Sequence, residues 1–520
     1  MMSSIDQIRQ LSGSLSYLPV EIIKKIVSNL PNSDIKNLRQ TCSYIKDIAH
    51  LRLDRVFLST NPLDIDVFRA IADDDFFRFG VKEIIYDDAR HSNDYDTFHD
   101  VYFEGDEGDI GDVTGVPDWF RMAYSELTFV RYLKPEDLGL EGLDLTSWRR
   151  CTPIESYQIY DKVYKQQREV IASNKDAEAL RYGLMRFPNL NRVSLTPSAY
   201  GLQKRPLYHT PTIRSIPEGF VGPKPRGWPD SPTYYLGQWD GLTSGHIGRP
   251  VKQEWRGFSV VTKCVAEHLR ETPSSNLSEF SVDSHQLWLG INCRVFDKPS
   301  HAEYQDFVTI LSHPKFKCLN LSLCCGGQAG QNWYSLRNGL LHDALSNAPD
   351  LQRISIYTST PVGGIGFPPI EANEHNHIPL RSIFPINNWR NLRHFSLSRF
   401  IVKQDDVMEF LFGLPHTLAS LELSHLIFIP TDGNYRDLLQ DMHARLGWRE
   451  RPARDQPKLI VLVESVEARR DGIVTDVSQE VEDFIYRDGS NPFSGDPRDT
   501  LIPGKGVQWE VFGPIQDGYW

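Results

Sequence analysis

The chain has 520 residues, with 56 Lys and Arg against 68 Asp and Glu, a formal charge of −12 and a pI near 5.8. That acidic balance argues against a general binder of nucleic acid or of acidic membranes, which needs a basic footprint. With 40% hydrophobic and 24% charged residues the composition is globular, and no run approaches the roughly 18 apolar residues of a membrane-spanning helix. The length corresponds to several domains or to one extended repeat array. Met1-Met2-Ser3-Ser4-Ile5-Asp6 lacks the basic and apolar stretches of a secretory signal, so the expected location is the cytosol or nucleus. Seven cysteines (Cys42, Cys151, Cys264, Cys293, Cys318, Cys324 and Cys325) are spread thinly and form no CxxC pair, which predicts reduced thiols and no zinc ribbon.

The first predicted elements lie between Leu18 and Leu58. Pro19 and Glu21 suit the first turn of a helix, where the missing proline N–H costs nothing and a carboxylate meets the positive end of the dipole. Ile22, Ile23, Ile26, Val27 and Leu30 follow at helical spacing along one broad face. Pro31-Asn32-Ser33 ends that helix and offers a cap for a second, striped by Ile35, Leu38 and Cys42. Tyr44, Ile45, Ile48, Ala49 and Leu51 continue into a third. The module carries seven basic residues against four acidic ones, a +3 patch that predicts docking to an acidic partner. Some 40 residues bury only a small core, so the unit needs a partner or the rest of the chain.

The pattern Leu18-Pro19-x-Glu21-Ile22-Ile23-x-x-Ile26-Val27-x-x-Leu30-x-x-x-Asp34-Ile35-x-x-Leu38-x-x-Thr41-Cys42 resembles the F-box, with Ile45 at a position where that family often has an aromatic residue. The F-box is the three-helix motif that joins a substrate receptor to the Skp-type adaptor of cullin-based ubiquitin ligases. The resemblance implies an adaptor interface supplied by Leu18, Pro19, Ile22, Ile26, Leu30, Leu38 and Ile45, with some of these holding the helices together instead.

Downstream, one phrase recurs: a helical stretch, a short turn, then apolar-x-x-apolar-x-apolar. It appears as Leu53/Val56/Leu58, Val81/Ile84/Tyr86, Leu190/Val193/Leu195 and Leu277/Phe280/Val282. It returns as Phe316/Leu319/Leu321, Leu351/Ile354/Ile356, Leu392/Phe395/Leu397 and Leu418/Leu421/Leu423. The phrase resembles the strand of leucine-rich repeats, although only the first and last spacings, 28 and 26 residues, fall in the usual range. The expected architecture is α/β: an N-terminal three-helix F-box followed by an irregular leucine-rich-repeat solenoid with long insertions. The alternative is a set of unrelated helix-then-strand units in an α/β domain. The expected divisions are 15–58, 59–433 with insertions at about 87–125 and 197–257, and a C-terminal capping region over 434–520. That region is predicted to hold a helix from Tyr435, a strand Lys458–Val463, a helix near Val477–Tyr486 and a strand near Val507–Phe512.

The first insertion places ten acidic residues and one arginine between Asp87 and Asp112, and fails the calcium-loop spacing at Asp106, Asp109 and Asp112. It reads as a solvated acidic loop. The second, Pro197–Gly257, combines nine prolines and nine glycines with Trp228, Trp239, Trp255, Tyr234 and Tyr235. That aromatic content predicts an ordered loop packed over one edge of the array.

The chain contains no GxSxG, HExxH, phosphate-loop or dinucleotide fingerprint. Glu371, Glu374, His375 and His377 match no metal spacing, and Cys324-Cys325 reads as small hydrophobic filling. No cofactor, no metal and no catalytic residue is expected. The reading is a non-catalytic substrate-recognition subunit of an SCF-type ubiquitin ligase, whose partners are the Skp-type adaptor, through it the cullin, and a protein substrate. The alternative is an F-box scaffold acting outside degradation. In style the irregular repeats resemble fungal F-box proteins. Residues between the buried positions of each phrase alternate to the opposite sheet face. Ser194, Ser281, Asn320, Ser355, Ser396 and Glu422 are therefore expected to point outward as a substrate-binding surface.

Overall fold

The computed structural model describes residues 18–93, 114–129, 151–201, 206–217, 219–225, 227–229, 237–242, 250–285, 289–360, 372–464, 473–494 and 501–510. Most of the acidic insertion, Tyr234, Tyr235 and Glu371 lie outside them.

Three short helices open the chain: α1 (Val20–Val27), α2 (Asn32–Arg39) and α3 (Ser43–Ile48). Next come β1 (Arg55–Ser59), α4 (Pro62–Asp73), β2 (Glu83–Asp87), α5 (Asp118–Phe129), α6 (Pro153–Ser173), α7 (Lys175–Arg186), β3 (Arg192–Thr196) and α8 (Pro211–Ser215). The middle holds α9 (Arg256–Glu271), β4 (Glu279–Val282), β5 (Ile291–Asn292), α10 (Ala302–Leu311), β6 (Cys318–Cys324), α11 (Tyr334–Arg337), α12 (Leu340–Ser346) and β7 (Arg353–Thr358). The chain continues through β8 (His394–Ser398), β9 (Ile401–Val402), α13 (Gln404–Phe412), β10 (Ser420–Ser424), β11 (Ile427–Phe428) and α14 (Tyr435–Arg445). It closes with β12 (Lys458–Ile460), β13 (Leu462–Glu464), β14 (Ile473–Asp476), α15 (Ser478–Tyr486) and β15 (Val507–Glu510).

Each of the eight apolar phrases is a strand, and the eight lie in one sheet with β12 as a ninth neighbour, in the order β1-β2-β3-β4-β6-β7-β8-β10-β12. Every pairing along this path is parallel, and β5 adds to β6 at its side. Register aligns the phrases. Val56, Ile84, Val193, Phe280, Leu319, Ile354, Phe395, Leu421 and Leu459 form one row, and Leu58, Tyr86, Leu195, Val282, Leu321, Ile356, Leu397 and Leu423 another. Both rows point to the side carrying α4, α7, α9, α10 and α12 and are buried in one continuous apolar core. A parallel strand needs a crossover, and the helices between strands supply it while covering this face. After β10 come α14, α15 and a three-stranded antiparallel sheet, β13-β14-β15, and the expected strand Lys458–Val463 divides between β12 of the main sheet and β13 of this one.

A polar knot joins strand to helices on the core side. The Asp176 carboxylate, fully buried in the first turn of α7, accepts from Tyr86 Oη at 2.6 Å and from Arg256 Nη1 and Nη2 at 2.6 and 3.0 Å. Paired this way, the charges of α7 and α9 meet without a stranded ion.

The second insertion divides in two. Residues around Ala199, Tyr200, Leu207 and Tyr208 with Ile213 and Ile216 fold onto Ile85 and Phe57, the opposite face of the sheet. Trp228, Trp239 and Trp255 return to the helical side and enter the main core. Each indole N–H is bonded: Trp228 to Asp88 at 2.8 Å, Trp239 to Glu303 at 3.0 Å and Trp255 to the Gly290 carbonyl at 2.8 Å. With its donor satisfied, each of these three rings is a specific anchor.

Candidate functional site

The N-terminal module packs Ile23, Val27, Ile35, Ile45 and Ala49 inward. Its first helix starts where Pro19 O accepts the amides of Ile22 (3.0 Å) and Ile23 (3.1 Å). Of the expected Pro31-Asn32-Ser33 cap, Pro31 takes the N-cap position of α2 and no side-chain capping bond forms there. Asn32 is the first residue of α2, and its side chain grips the backbone of Arg52 instead, donating to Arg52 O at 2.7 Å and accepting from Arg52 N at 2.9 Å. The Arg52 guanidinium donates to the Ser28 and Leu30 carbonyls at the end of α1 and to the Val27 carbonyl, which also accepts the Leu30 amide at 3.1 Å. Arg39 Nη1 donates to Ala49 O at 2.7 Å. The +3 patch is therefore smaller than composition indicates. Arg39 and Arg52 are spent on backbone carbonyls, and Arg55 pairs with Glu83 at 2.8 Å.

The broad apolar face of the first helix splits. Ile23 and Val27 are buried, while Leu18, Ile22 and Ile26 stand 38%, 45% and 36% exposed, with Pro19 exposed beside them. Leu30 and Leu38 are half-buried against the module core. Ile45 falls to the second of the two expected roles, holding the helices together: at 2% exposure it is a core residue, because the short α3 reaches α1 through Ile45 and Ala49. Tyr44, at 42% exposed, is an outward apolar side chain that spacing alone does not separate from the third helix's stripe. These aliphatics stand grouped on one side of a small module rather than scattered singly.

The module is tied to the sheet. Asp54 O accepts both Lys82 N and Glu83 N, at 2.8 and 3.0 Å, and the His50 ring lies 4.3 Å from that of Phe76.

The second candidate surface is the sheet face opposite the helices. Register places Ser194, Ser281, Asn320, Ser355, Ser396 and Glu422 side by side in one row of it, as expected. Their exposure departs from the expectation: Ser194, Ser281, Ser396 and Glu422 are buried, and only Asn320 and Ser355 are half-exposed. Two causes act. Strands about 4.8 Å apart leave a serine in the shadow of longer neighbours such as Arg353, Tyr357 and His394. Over β1 to β4, Tyr208 also reaches across, its ring 5.7 Å from Phe57 and its Oη 2.9 Å from His285 Nε2. Ser194 Oγ is committed to Glu83 at 2.6 Å, and Ser355 Oγ meets His394 Nε2 at 3.3 Å. Burial pushes the Glu422 carboxyl up and the His394 imidazole down to about 4, the latter helped by the Arg353 charge.

Among the described residues no three His, Cys, Asp or Glu side chains converge as metal ligands. His377 Nε2 lies 3.3 Å from Asp406, and Arg337 bonds the carbonyls of His375 and His377. Cys293, Cys324 and Cys325 are buried.

A family model for the F-box domain matches residues 15–54, the module just described. Comparison with curated proteins returns no match. The chain thus carries an F-box domain, which implies a role as an adaptor-binding component of SCF-type ubiquitin ligases. F-box proteins are generally non-catalytic adaptors that bind Skp-type partners.

Proposed function

We propose that this protein is the substrate-recognition subunit of an SCF-type ubiquitin ligase, acting in the cytosol or nucleus. In this reading Leu18, Pro19, Ile22 and Ile26, flanked by Leu30 and Leu38, dock the Skp-type adaptor and through it the cullin. The parallel strands laid in chain order are read as an irregular leucine-rich-repeat solenoid over 59–433, of the kind met in fungal F-box proteins, and its helix-free face receives a protein substrate. The observation that carries the reading is the coincidence of the F-box match at 15–54 with exposed aliphatics on that same module. The ligase's other subunits would perform the chemistry, and this chain would contribute proximity, holding a substrate lysine where transfer becomes effectively intramolecular. The test is capture of adaptor and cullin by the full chain, beside L18A, P19A and a deletion of residues 15–58. Capture lost on deletion supports the reading, and no capture by the intact chain refutes it. Ubiquitylation of captured partners that depends on this chain separates a degradative receptor from an F-box scaffold.

A further inference from the structure

The helix-free face of the sheet has two electrostatic halves. Over β1 to β4 the lowest row reads Arg55, Glu83, Arg192, Glu279 in register, and the signs cancel. Arg55 Nε lies 2.8 Å from Glu83, and Arg192 Nε 3.1 Å from the same carboxylate. Over β6 to β12 the row continues as Cys318, Arg353, His394, Ser420, Lys458 with no carboxylate. The residues just below it add Lys317 and Arg393. Backbone bonds lace this edge together: Lys317 O takes the amides of Gln352 and Arg353 (2.8 and 3.0 Å), and Gln352 O those of Arg393 and His394 (2.7 and 3.0 Å). Arg393 O in turn takes Ala419 and Ser420 (2.8 and 2.9 Å), and Ala419 O takes Lys458 (2.9 Å).

Lys317, Arg353, Arg393 and Lys458 are all exposed, and none makes an ion pair among the described residues. Glu422 is the carboxylate nearest in register on this half, and it is buried. A strip of four unpaired cations on a chain of charge −12 is a local reversal of sign. Side-chain packing does not require it, since these ends reach into solvent.

We propose that this strip docks an acidic segment of a protein partner, rich in Asp and Glu and laid across strands β6 to β12. The inference rests on the reading of this face as the partner-binding one. Four strand spacings cover about 19 Å, the reach of roughly six extended residues. Arg353 and Lys458 open β7 and β12, and Lys317 and Arg393 immediately precede β6 and β8, so the four cations are spaced along the edge and each faces its own anion. A phosphate group, whose oxygens lie close together, is held best where several donors converge. Spaced carboxylates therefore fit the strip better than a single phosphorylated residue. Exposed charges of this kind set encounter rate and register, and they weaken with salt.

The experiment uses the full chain purified with its adaptor and a fluorescein-labelled dodecapeptide of alternating Glu and Ser. A Lys/Ser peptide and a peptide with one phosphoserine and no Glu run beside it. The Glu peptide binds, its Kd rises at least tenfold between 50 and 300 mM salt, and R353Q/K458Q weakens it at least fivefold. K162Q/R168Q, which removes two exposed cations on α6, leaves the Kd unchanged. Absence of Glu-peptide binding, an equal Kd in R353Q/K458Q, or binding of the phosphoserine peptide alone overturns the inference. Adaptor capture by the same preparations keeps the two readings apart. Capture without Glu-peptide binding sinks the strip alone, and loss of capture by the unmodified chain sinks the ligase reading.

Discussion

Ile22 and Ile23 are adjacent, chemically identical and oppositely placed, so replacing each by alanine separates docking from folding. Ile22 is 45% exposed and Ile26 36%, whereas Ile23 is fully buried. Burying a whole isoleucine side chain is worth about 1.5–3 kcal/mol, so the exposed part of Ile22 offers roughly 0.5–1.5 kcal/mol to a partner that covers it. At 1.4 kcal/mol per decade, Ile22→Ala raises the adaptor Kd about 2- to 12-fold, and Ile22→Ala with Ile26→Ala about 5- to 70-fold. Neither change opens a cavity, so the module's amide exchange stays as in the parent. Ile23→Ala deletes core volume instead and costs about 2–5 kcal/mol of module stability, read as faster exchange across 18–54 before any partner is added. Calorimetric titration with the Skp-type adaptor, paired with hydrogen exchange, reads both quantities. A double variant at Ile22 and Ile26 that binds within twofold of the parent would refute the assignment of this face.

Ile45→Ala should behave like Ile23→Ala, losing module protection in hydrogen exchange, because Ile45 lies in the module core. Arg256→Met strands the buried Asp176 carboxylate and should cost about 3–5 kcal/mol, while Asp176→Asn combined with Arg256→Met costs markedly less. Thermal melting of the two variants decides, and equal losses would argue against a coupled pair. Glu303→Ala leaves the Trp239 indole N–H and Ser259 Oγ without their acceptor, at about 1–3 kcal/mol. The readout is earlier proteolytic cutting within 197–257, and an unchanged cutting pattern would contradict the anchoring. The His394 pKa is depressed to about 4 in the fold from an ordinary 6.5, so the folded state takes up fewer protons than the unfolded chain between those values. Its contribution is whole above pH 6.5 and is lost as pH falls towards 4, about 1.4 kcal/mol already at pH 5.5. His394→Gln should shrink the stability difference between pH 7 and 5.5 by about 1.2 kcal/mol in urea titrations.

The strands were legible because a buried parallel strand must place apolar residues at fixed alternate positions. Eight phrases such as Leu319/Leu321 and Phe395/Leu397 carried that constraint in their own spacing. The orientation of the first helix was not legible in the same way. Ile22, Ile23, Ile26 and Val27 are all aliphatic, and only the contact with Ile35 and Ile45 decides which pair turns inward. The burial of Ser194 and Ser281 was hidden for a related reason. It arises from neighbouring strands whose adjacency no local pattern encodes, such as β2, whose Glu83 takes the Ser194 hydroxyl, on the face where Tyr208 packs against Phe57 and His285. Arg52 reads as surface charge until the ends of α1 and α2 are seen to converge on it.

The order of the main sheet also bears on how the chain is made. Along the path from β1 to β12 each strand pairs with the path strand synthesised before it, and among the described strands of this sheet the two-residue β5 alone waits for a later partner, β6. As the polypeptide leaves the ribosome, each new strand of the path meets a hydrogen-bonding edge already in place, and the growing edge is the most recent strand while the outer edge of β1 stays at the far end. A sheet of mixed order would hold several open edges at once while awaiting distant sequence, each a template for mispairing. Growth at a single front lets this protein carry insertions as long as 197–257 without delaying the strands already laid down.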